Sequence, residues 1–156
     1  MSRNSPNTYD PGRIIVSVNG IAITGFAEDS ILTLAPLGEN NRLVVGADGE
    51  LARSIDRNKA WTLTLSLLQT AGSNDVLSLL SASGAYFLCV VQDASGRTLF
   101  TEDEAFCGQE PDVSFGAEIG EREWTIIMPR PARNIGGNAG RSGLPAIPAF
   151  PRLPGL

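Results

Sequence analysis

The chain of 156 residues contains no histidine, and this absence excludes several classes of enzyme. Histidine is the commonest general base, and it supplies the Ser-His-Asp triad and most zinc sites. An enzyme built from this chain would have to use carboxylates, lysine or a nucleotide-binding loop. The length indicates one domain, which can bury a core without disulfide bonds.

Long apolar runs are also absent, and so are the marks of secretion. No run approaches the roughly 20 residues that a membrane-spanning helix needs. Residues 1–10 are polar and lack the apolar centre of a signal peptide. We therefore expect a protein that is made in the cytosol and has no contact with a membrane.

Only two cysteines occur, and their spacing is not that of a metal or redox motif. Cys89 lies in the apolar run 87–91 and is expected to be a small buried side chain. Cys107 follows Phe106. A disulfide between the two cysteines remains open, but the cytosolic expectation favours two separate thiols.

Basic residues are fewer than acidic ones, 12 against 17, so the formal net charge is −5. Such a chain repels nucleic acid at long range. The acidic run 102–104 lacks calcium-loop spacing and is predicted to be a solvated turn. The segment 46–50, G-A-D-G-E, lacks the ending of a phosphate-binding loop, and a hairpin turn is favoured. No metal-binding, cofactor-binding or catalytic set is predicted.

The strongest secondary-structure signals lie in the stretch 60–80. The alternation of Trp61, Leu63, Leu65 and Leu67 with polar residues predicts a long central strand with one buried face. Beyond it, a capping residue (73 or 74), an apolar stripe and a glycine at position 84 predict one short helix over about 73–82.

Strand patterns fill most of the remaining chain up to residue 128. The run 85–92 is nearly continuously apolar, so we expect it to be buried on both faces or central in a sheet. Pro129 and Pro131 are expected to end the fold. About nine strand candidates with one helix indicate a mainly β, α+β domain. The predicted strands also include 13–18, 21–23, 31–35, 42–45, 97–101, 105–109, 112–115 and 122–128.

Glu121 and Glu123 flank Arg122 on the last strong strand and share its polar face. Paired carboxylates could serve acid/base catalysis, but the solvated side of a half-buried strand is the favoured interpretation. Trp61 and Trp124 lie on apolar strand faces, which favours core positions over stacking platforms for bases.

Residues 136–156 differ in composition from the rest and carry a proline at every third position from 145 to 154. This spacing favours polyproline II, which has three residues per turn and would align the residue before each proline on one edge. A disordered tail is one interpretation. The other is an arm that docks on a neighbouring subunit, which would cover the apolar edge residues Leu144, Ile147, Phe150 and Leu153.

Several short strings resemble the tail tube proteins of contractile-tailed bacteriophages and their prophage relatives. They are V-G-A-D-G-E at 45–50, R-S at 53–54, N-K at 58–59, L-L-Q-T at 67–70 and S-N-D at 73–75 with Leu77. Y-D-P at 9–11, followed by I-I-V-S-V-N-G, is similar too. The resemblance covers residues 9–131 and implies a two-sheet β-sandwich or barrel-like fold with one flanking helix. Composition divides the chain into an N-terminal arm (1–12), a β-domain (13–135) and a proline-rich extension (136–156), and this extension departs from the short form that is common in the family.

The resemblance implies a structural role rather than an enzymatic one. Subunits would form hexameric rings that stack into a tube, through which DNA and a tape-measure protein pass without specific binding. The partners would be further copies, the tail sheath, the baseplate and the tail terminator. The protein would be located in the tail of a virion that is assembled in the host cytoplasm. The alternatives are a tail-completion or adaptor protein, the tube of a phage-derived injection particle and, least favoured, a carboxylate enzyme.

Three sets of residues are candidates for assembly. Glu121 and Glu123 are candidates for the acidic lining of the channel, and the four apolar residues of the extension are candidates for a docking arm. The long polar segment 37–59 is the candidate contact between stacked rings, with the N-terminal arm as a second. The candidate contact residues of segment 37–59 are Glu39, Asn40, Asp48, Glu50, Arg53, Arg57 and Lys59.

Overall fold

A computed structural model describes residues 10–28, 31–94 and 96–137 of the chain. This part contains ten β-strands and one α-helix, so the mainly β fold class is confirmed. The elements are β1 (Ile14–Val18), β2 (Ile21–Ala22), β3 (Leu32–Pro36), β4 (Asn41–Val45), β5 (Leu51–Ile55), β6 (Trp61–Leu68), α1 (Ser73–Ser83), β7 (Phe87–Asp93), β8 (Leu99–Gln109), β9 (Glu121–Met128) and β10 (Ala132–Asn134).

Eight of these strands form one antiparallel sheet, and β4 and β5 form a separate hairpin. The strand order in the large sheet is β2-β1-β7-β8-β9-β6-β3, with β10 paired to β8. The segment Ile23 to Ala27 crosses from one end of this order to the other. The amide of Ile23 donates to Val16 O at 2.8 Å, and that of Ala27 donates to Ser66 O at 2.9 Å.

The long strand β8 links the two halves of the sheet. Its first half pairs with β7 and β10, and its second half pairs with β9. Register shifts occur opposite Phe87–Cys89 and at Cys107–Gln109, and such bulges bend a strand and increase its twist. The sheet therefore curls, and the inner faces of its two halves enclose one core.

A single hydrophobic cluster fills the curled sheet, and the alternation in β6 and β9 places their side chains in it as predicted. Trp61 is partly buried, and its ring meets Phe100 edge-to-face with centroids 5.0 Å apart. The buried apolar side chains of the cluster are Val16, Val18, Ile23, Leu63, Leu65, Leu67, Leu77, Phe87, Cys89, Val91, Phe100, Ala105, Trp124, Ile126 and Met128.

Helix α1 ends as predicted, because Gly84 adopts the left-handed conformation at φ 65°. The predicted side-chain cap is wrong, because the N-cap is Gly72 and no side chain bonds there. Asn74 instead joins the helix to the sheet. Its Oδ1 accepts the indole N–H of Trp124 at 2.9 Å, and its Nδ2 donates to Leu68 O at 2.9 Å.

The acidic run 102–104 is not a turn, because it lies within the continuous strand β8. Glu102 is only 5% exposed. Its two carboxylate oxygens accept the amides of Glu104 at 3.0 Å and Arg130 at 2.7 Å. This buried carboxylate therefore gives a backbone amide in the bulge of β8 its acceptor, and it links β8 to the chain that follows β9. The two predicted strands over 97–109 are therefore one.

Two further predictions about strands are wrong. Residues 112–115 form no strand. The prolines at 129 and 131 do not end the fold, because β10 follows them and pairs with β8. Of the two alternatives for the run 85–92, the central position is confirmed, because β7 lies between β1 and β8 in the sheet. It is not buried on both faces, since Leu88 is 42% exposed. Cys89 and Cys107 are both free thiols.

Candidate assembly surfaces

The hairpin β4–β5 has an apolar face that no described part of the chain covers. Val45 lies opposite Leu51, and Leu43 and Ile55 lie two and four residues away along the two strands on the same face. The exposed fractions of these four side chains run from 61% to 71%. A two-stranded hairpin alone is marginally stable in water, so this face is suited to burial against another molecule.

Asp56 stabilises the base of the hairpin by accepting hydrogen bonds from backbone amides, and this residue was not identified from the sequence. Its Oδ2 accepts the amide of Glu39 at 3.1 Å, and its Oδ1 accepts the amide of Asn58 at 2.9 Å. The hydrogen bond from Asn58 is the main cause that lowers the pKa of this carboxyl below its ordinary value. The Asp-x-Asn spacing, typical of side-chain bonds to nearby backbone, was the available signal.

The seven residues proposed for ring contact all lie on or beside this hairpin. Asp48 and Glu50 are at its tip, where Gly46 N donates to Glu50 O at 2.7 Å in the predicted hairpin turn. Arg53 lies in β5 opposite Leu43, and the remaining four are at the base. Six of the seven are exposed and Lys59 is half-buried, the full set being Glu39, Asn40, Asp48, Glu50, Arg53, Arg57 and Lys59.

The outer edge of β3 is the second candidate surface. This strand ends the strand order of the large sheet, and it pairs with β6 on one side only. In the described ranges no strand pairs with its other side, so Leu32–Pro36 present free backbone groups along that edge. Such an edge is a template for pairing with another chain unless it is blocked. Pro36 blocks only its last position.

Glu121 and Glu123 share the exposed face of β9, opposite Leu68 and Ser66 of β6. They line an open cavity of about 180 Å³, together with Glu110 and Asp112. Four carboxylates here give this face a concentrated negative charge. Within the ranges that the structure describes, no group of three metal-ligating side chains is arranged to hold an ion.

The comparisons with known proteins show the family of this chain. Structural protein ORF10 of Pseudomonas phage KPP10 is 34% identical, and the match covers 85% of this chain and 84% of that protein. The chain belongs to the family of this phage structural protein. No protein-family model matches the sequence.

Three solved structures share the fold of this chain. The cap that terminates the tube of the anti-feeding prophage has a TM-score of 0.58 at 14% identity, covering 86% of this chain and 94% of that one. A chain of the sheath-tube complex of the extracellular contractile injection system PVC has a TM-score of 0.57 at 13% identity, covering 81% and 91%. The sheath/tube terminator of the same system has a TM-score of 0.54 at 13% identity, covering 82% and 97%.

The polar residues of the hairpin were identified from the sequence, and its apolar face was missed. The signal was present, because Leu43, Val45, Leu51 and Ile55 alternate with other residues on two short segments joined by an Asp-Gly turn. The docking-arm residues Leu144, Ile147, Phe150 and Leu153 lie outside the described residues. No helix in the described ranges has the length and apolar character to span a membrane.

Proposed function

We propose that this protein is a structural subunit of a phage tail tube, in which copies close into hexameric rings and the rings stack. The observation that carries the proposal is the uncovered apolar face of the β4–β5 hairpin. Within one ring, the free edge of β3 pairs with the sheet of the adjacent copy, which removes the unpaired backbone groups. Between rings, the hairpin reaches the next ring and buries its apolar face.

The channel of such a tube carries DNA and a tape-measure protein. The acidic face around Glu121 and Glu123 is proposed to line it, because fixed negative charge repels phosphates and gives DNA no binding site. The tube contacts the sheath on its outside and the baseplate and terminator at its ends. The protein then belongs to the virion tail, is assembled in the host cytoplasm and has no catalytic role.

The hairpin can be tested with a pair of matched substitutions. Leu51 is 71% exposed in β5, and Leu79 is 72% exposed on α1. Leu51→Asp should leave the subunit folded but abolish stacking, because burial of that leucine contributes about 1.5–3 kcal/mol and a buried unpaired charge costs more. Leu79→Asp should still give tubes.

Negative-stain images and circular dichroism of the two purified variants measure assembly and folding separately. Tubes of normal length from folded Leu51→Asp protein would remove the hairpin from the stacking contact. The same loss of tubes in both variants would show that added charge alone disturbs assembly.

The lining can be tested by reversing its charge. The double variant Glu121→Lys/Glu123→Lys replaces two carboxylates per subunit with ammonium groups, which attract phosphate. Assembled tubes of this variant should retain double-stranded DNA at low salt and release it as salt rises, whereas unchanged tubes should not. Equal retention by both tubes would place these residues away from the channel.

A terminator or cap of the tube is the second candidate function. Two of the three fold relatives are a tube-terminating cap and a sheath/tube terminator. A tube subunit forms long tubes when it is concentrated, whereas a terminator stays as single rings that bind tube ends. Imaging the purified protein over a concentration series distinguishes the two candidates.

A further inference from the structure

A groove lined by aromatic side chains lies between the end of α1 and β8. Its volume is about 250 Å³. Tyr86 is 68% exposed, and its ring meets Phe106 edge-to-face with centroids 6.1 Å apart. Leu80 and Cys107 complete the apolar part of the lining. A large aromatic ring left this open, beside a second ring, is suited to hold an apolar ligand.

The chain itself contains a proline-rich segment with regularly spaced apolar residues, a type that suits an aromatic-lined groove. Between residues 143 and 156, each of four prolines follows an apolar residue, and this repeat of three aligns those residues on one edge in polyproline II. Segments of this kind dock in aromatic-lined grooves with little loss of conformational entropy. We propose that the groove binds the proline-rich segment 143–156 of a neighbouring copy, with its apolar edge against Tyr86 and Phe106. This inference rests on the proposed assembly of copies.

The path of the chain favours a neighbouring copy over the same one. The strand β10 runs antiparallel to β8, so the chain leaves the domain heading away from the groove. At Gly136 it is still beside Thr98, whose Oγ1 donates to Gly136 O at 3.0 Å. From Thr98 to Phe106 the strand spans about 26 Å at ~3.3 Å per residue. Eight residues from Gly136 to Leu144 span about that length only when straight, so Leu144 has no length left for a reversal into the groove of its own chain. Docking of the whole apolar edge, which begins at Leu144, therefore favours a neighbouring copy.

Disulfide trapping tests the proposal with the full-length chain, because Cys107 already lines the groove. Cys89 does not interfere, since it is fully buried and burial raises the pKa of its thiol to about 12. Cysteine is introduced singly at Ile147, Phe150 or Leu153 on the apolar edge. The matched controls carry cysteine at Ala146, Ala149 or Arg152. Mild oxidation of concentrated protein is followed on non-reducing gels.

We expect disulfide-linked dimers from the edge positions, fewer from the controls, and loss of the dimers when Cys107→Ser is added. The parent protein sets the background. An internal disulfide within one chain would overturn the assignment to a neighbouring copy. Equal linking at all six positions, or none above background, would overturn docking in the groove.

A second measurement uses assembly as its readout. Tyr86→Ala and deletion of residues 143–156 should each leave the subunit folded and shorten or abolish tubes. Combined, they should do no more than either alone, because both remove the same contact. Additive effects would contradict the proposal. Tubes that form normally without the segment would overturn this inference but leave the tail-tube function standing, whereas absence of any rings from the parent protein would count against that function itself.

Discussion

Replacing Asn74 with alanine is expected to destabilise the fold by about 2 kcal/mol, because this side chain ties the helix to the sheet. Its Nδ2 donates to the carbonyls of Leu68 and Ala71 at 2.9 and 3.0 Å. Both carbonyls keep a backbone donor after the substitution, from the amides of Ala71 and residue 74. The indole N–H of Trp124, which donates to Asn74 Oδ1, has no such second partner among the described residues.

The magnitude follows from that one orphaned donor. A buried donor without a partner costs about 1–3 kcal/mol. The two lost amide bonds add to this, and the better helix propensity of alanine offsets about 0.5 kcal/mol. For a chain of this size, a net loss of about 2 kcal/mol lowers the Tm by roughly 4–8 °C.

Urea unfolding followed by circular dichroism at one protein concentration measures the loss, and a double-mutant cycle tests its cause. Trp124→Phe removes the N–H while keeping an aromatic ring. In that background Asn74→Ala should cost less than about 1 kcal/mol. An equal cost in both backgrounds would refute the assignment of the loss to the indole, and a loss under about 0.5 kcal/mol in the parent would refute the role of Asn74.

Three further predictions concern the core, the bulge and the thiols. Leu65→Asp should prevent folding, because truncating a buried leucine costs about 3–5 kcal/mol before the unpaired charge is counted, whereas Leu79→Asp should remain soluble with an unchanged circular dichroism spectrum. Glu102→Ala should cost about 2–4 kcal/mol in urea unfolding, since it leaves two amides without their acceptor. A thiol reagent at pH 8 should label Cys107 alone and reach Cys89 only in denaturant, as mass spectrometry can show; rapid labelling of Cys89 in the native protein would contradict its burial.

The candidate surfaces were only partly predictable from the residues. The polar positions around the hairpin could be identified, because charged residues and a turn signal mark segment 37–59 as solvent-facing. The alternation and the Asp-Gly turn indicate a hairpin with an apolar face, but they do not show whether that face is covered, because the same alternation fits a strand packed on a core. Only the tertiary structure shows that this hairpin stays separate from the large sheet and that no described residue covers its apolar face.

The local pattern by itself determined the long strand β6, the face of β9 that packs in the core, and the end of α1 at Gly84. These features depend on side-chain alternation and on the conformational freedom of one glycine, and both are properties of neighbouring residues. The short strings that resemble tail tube proteins also lie in neighbouring residues, and the chain does belong to a family of phage structural proteins.

The tertiary structure alone decided the continuity of β8, the burial of Glu102 and the role of Asn74. A carboxylate in a run of three acidic residues is expected in solvent, unless distant backbone groups satisfy it. Here the amide of Arg130, which is 28 positions away, does so. Asn74 likewise meets Trp124 across 50 positions. Because such partners are brought together by the curl of the sheet, no local pattern contains them.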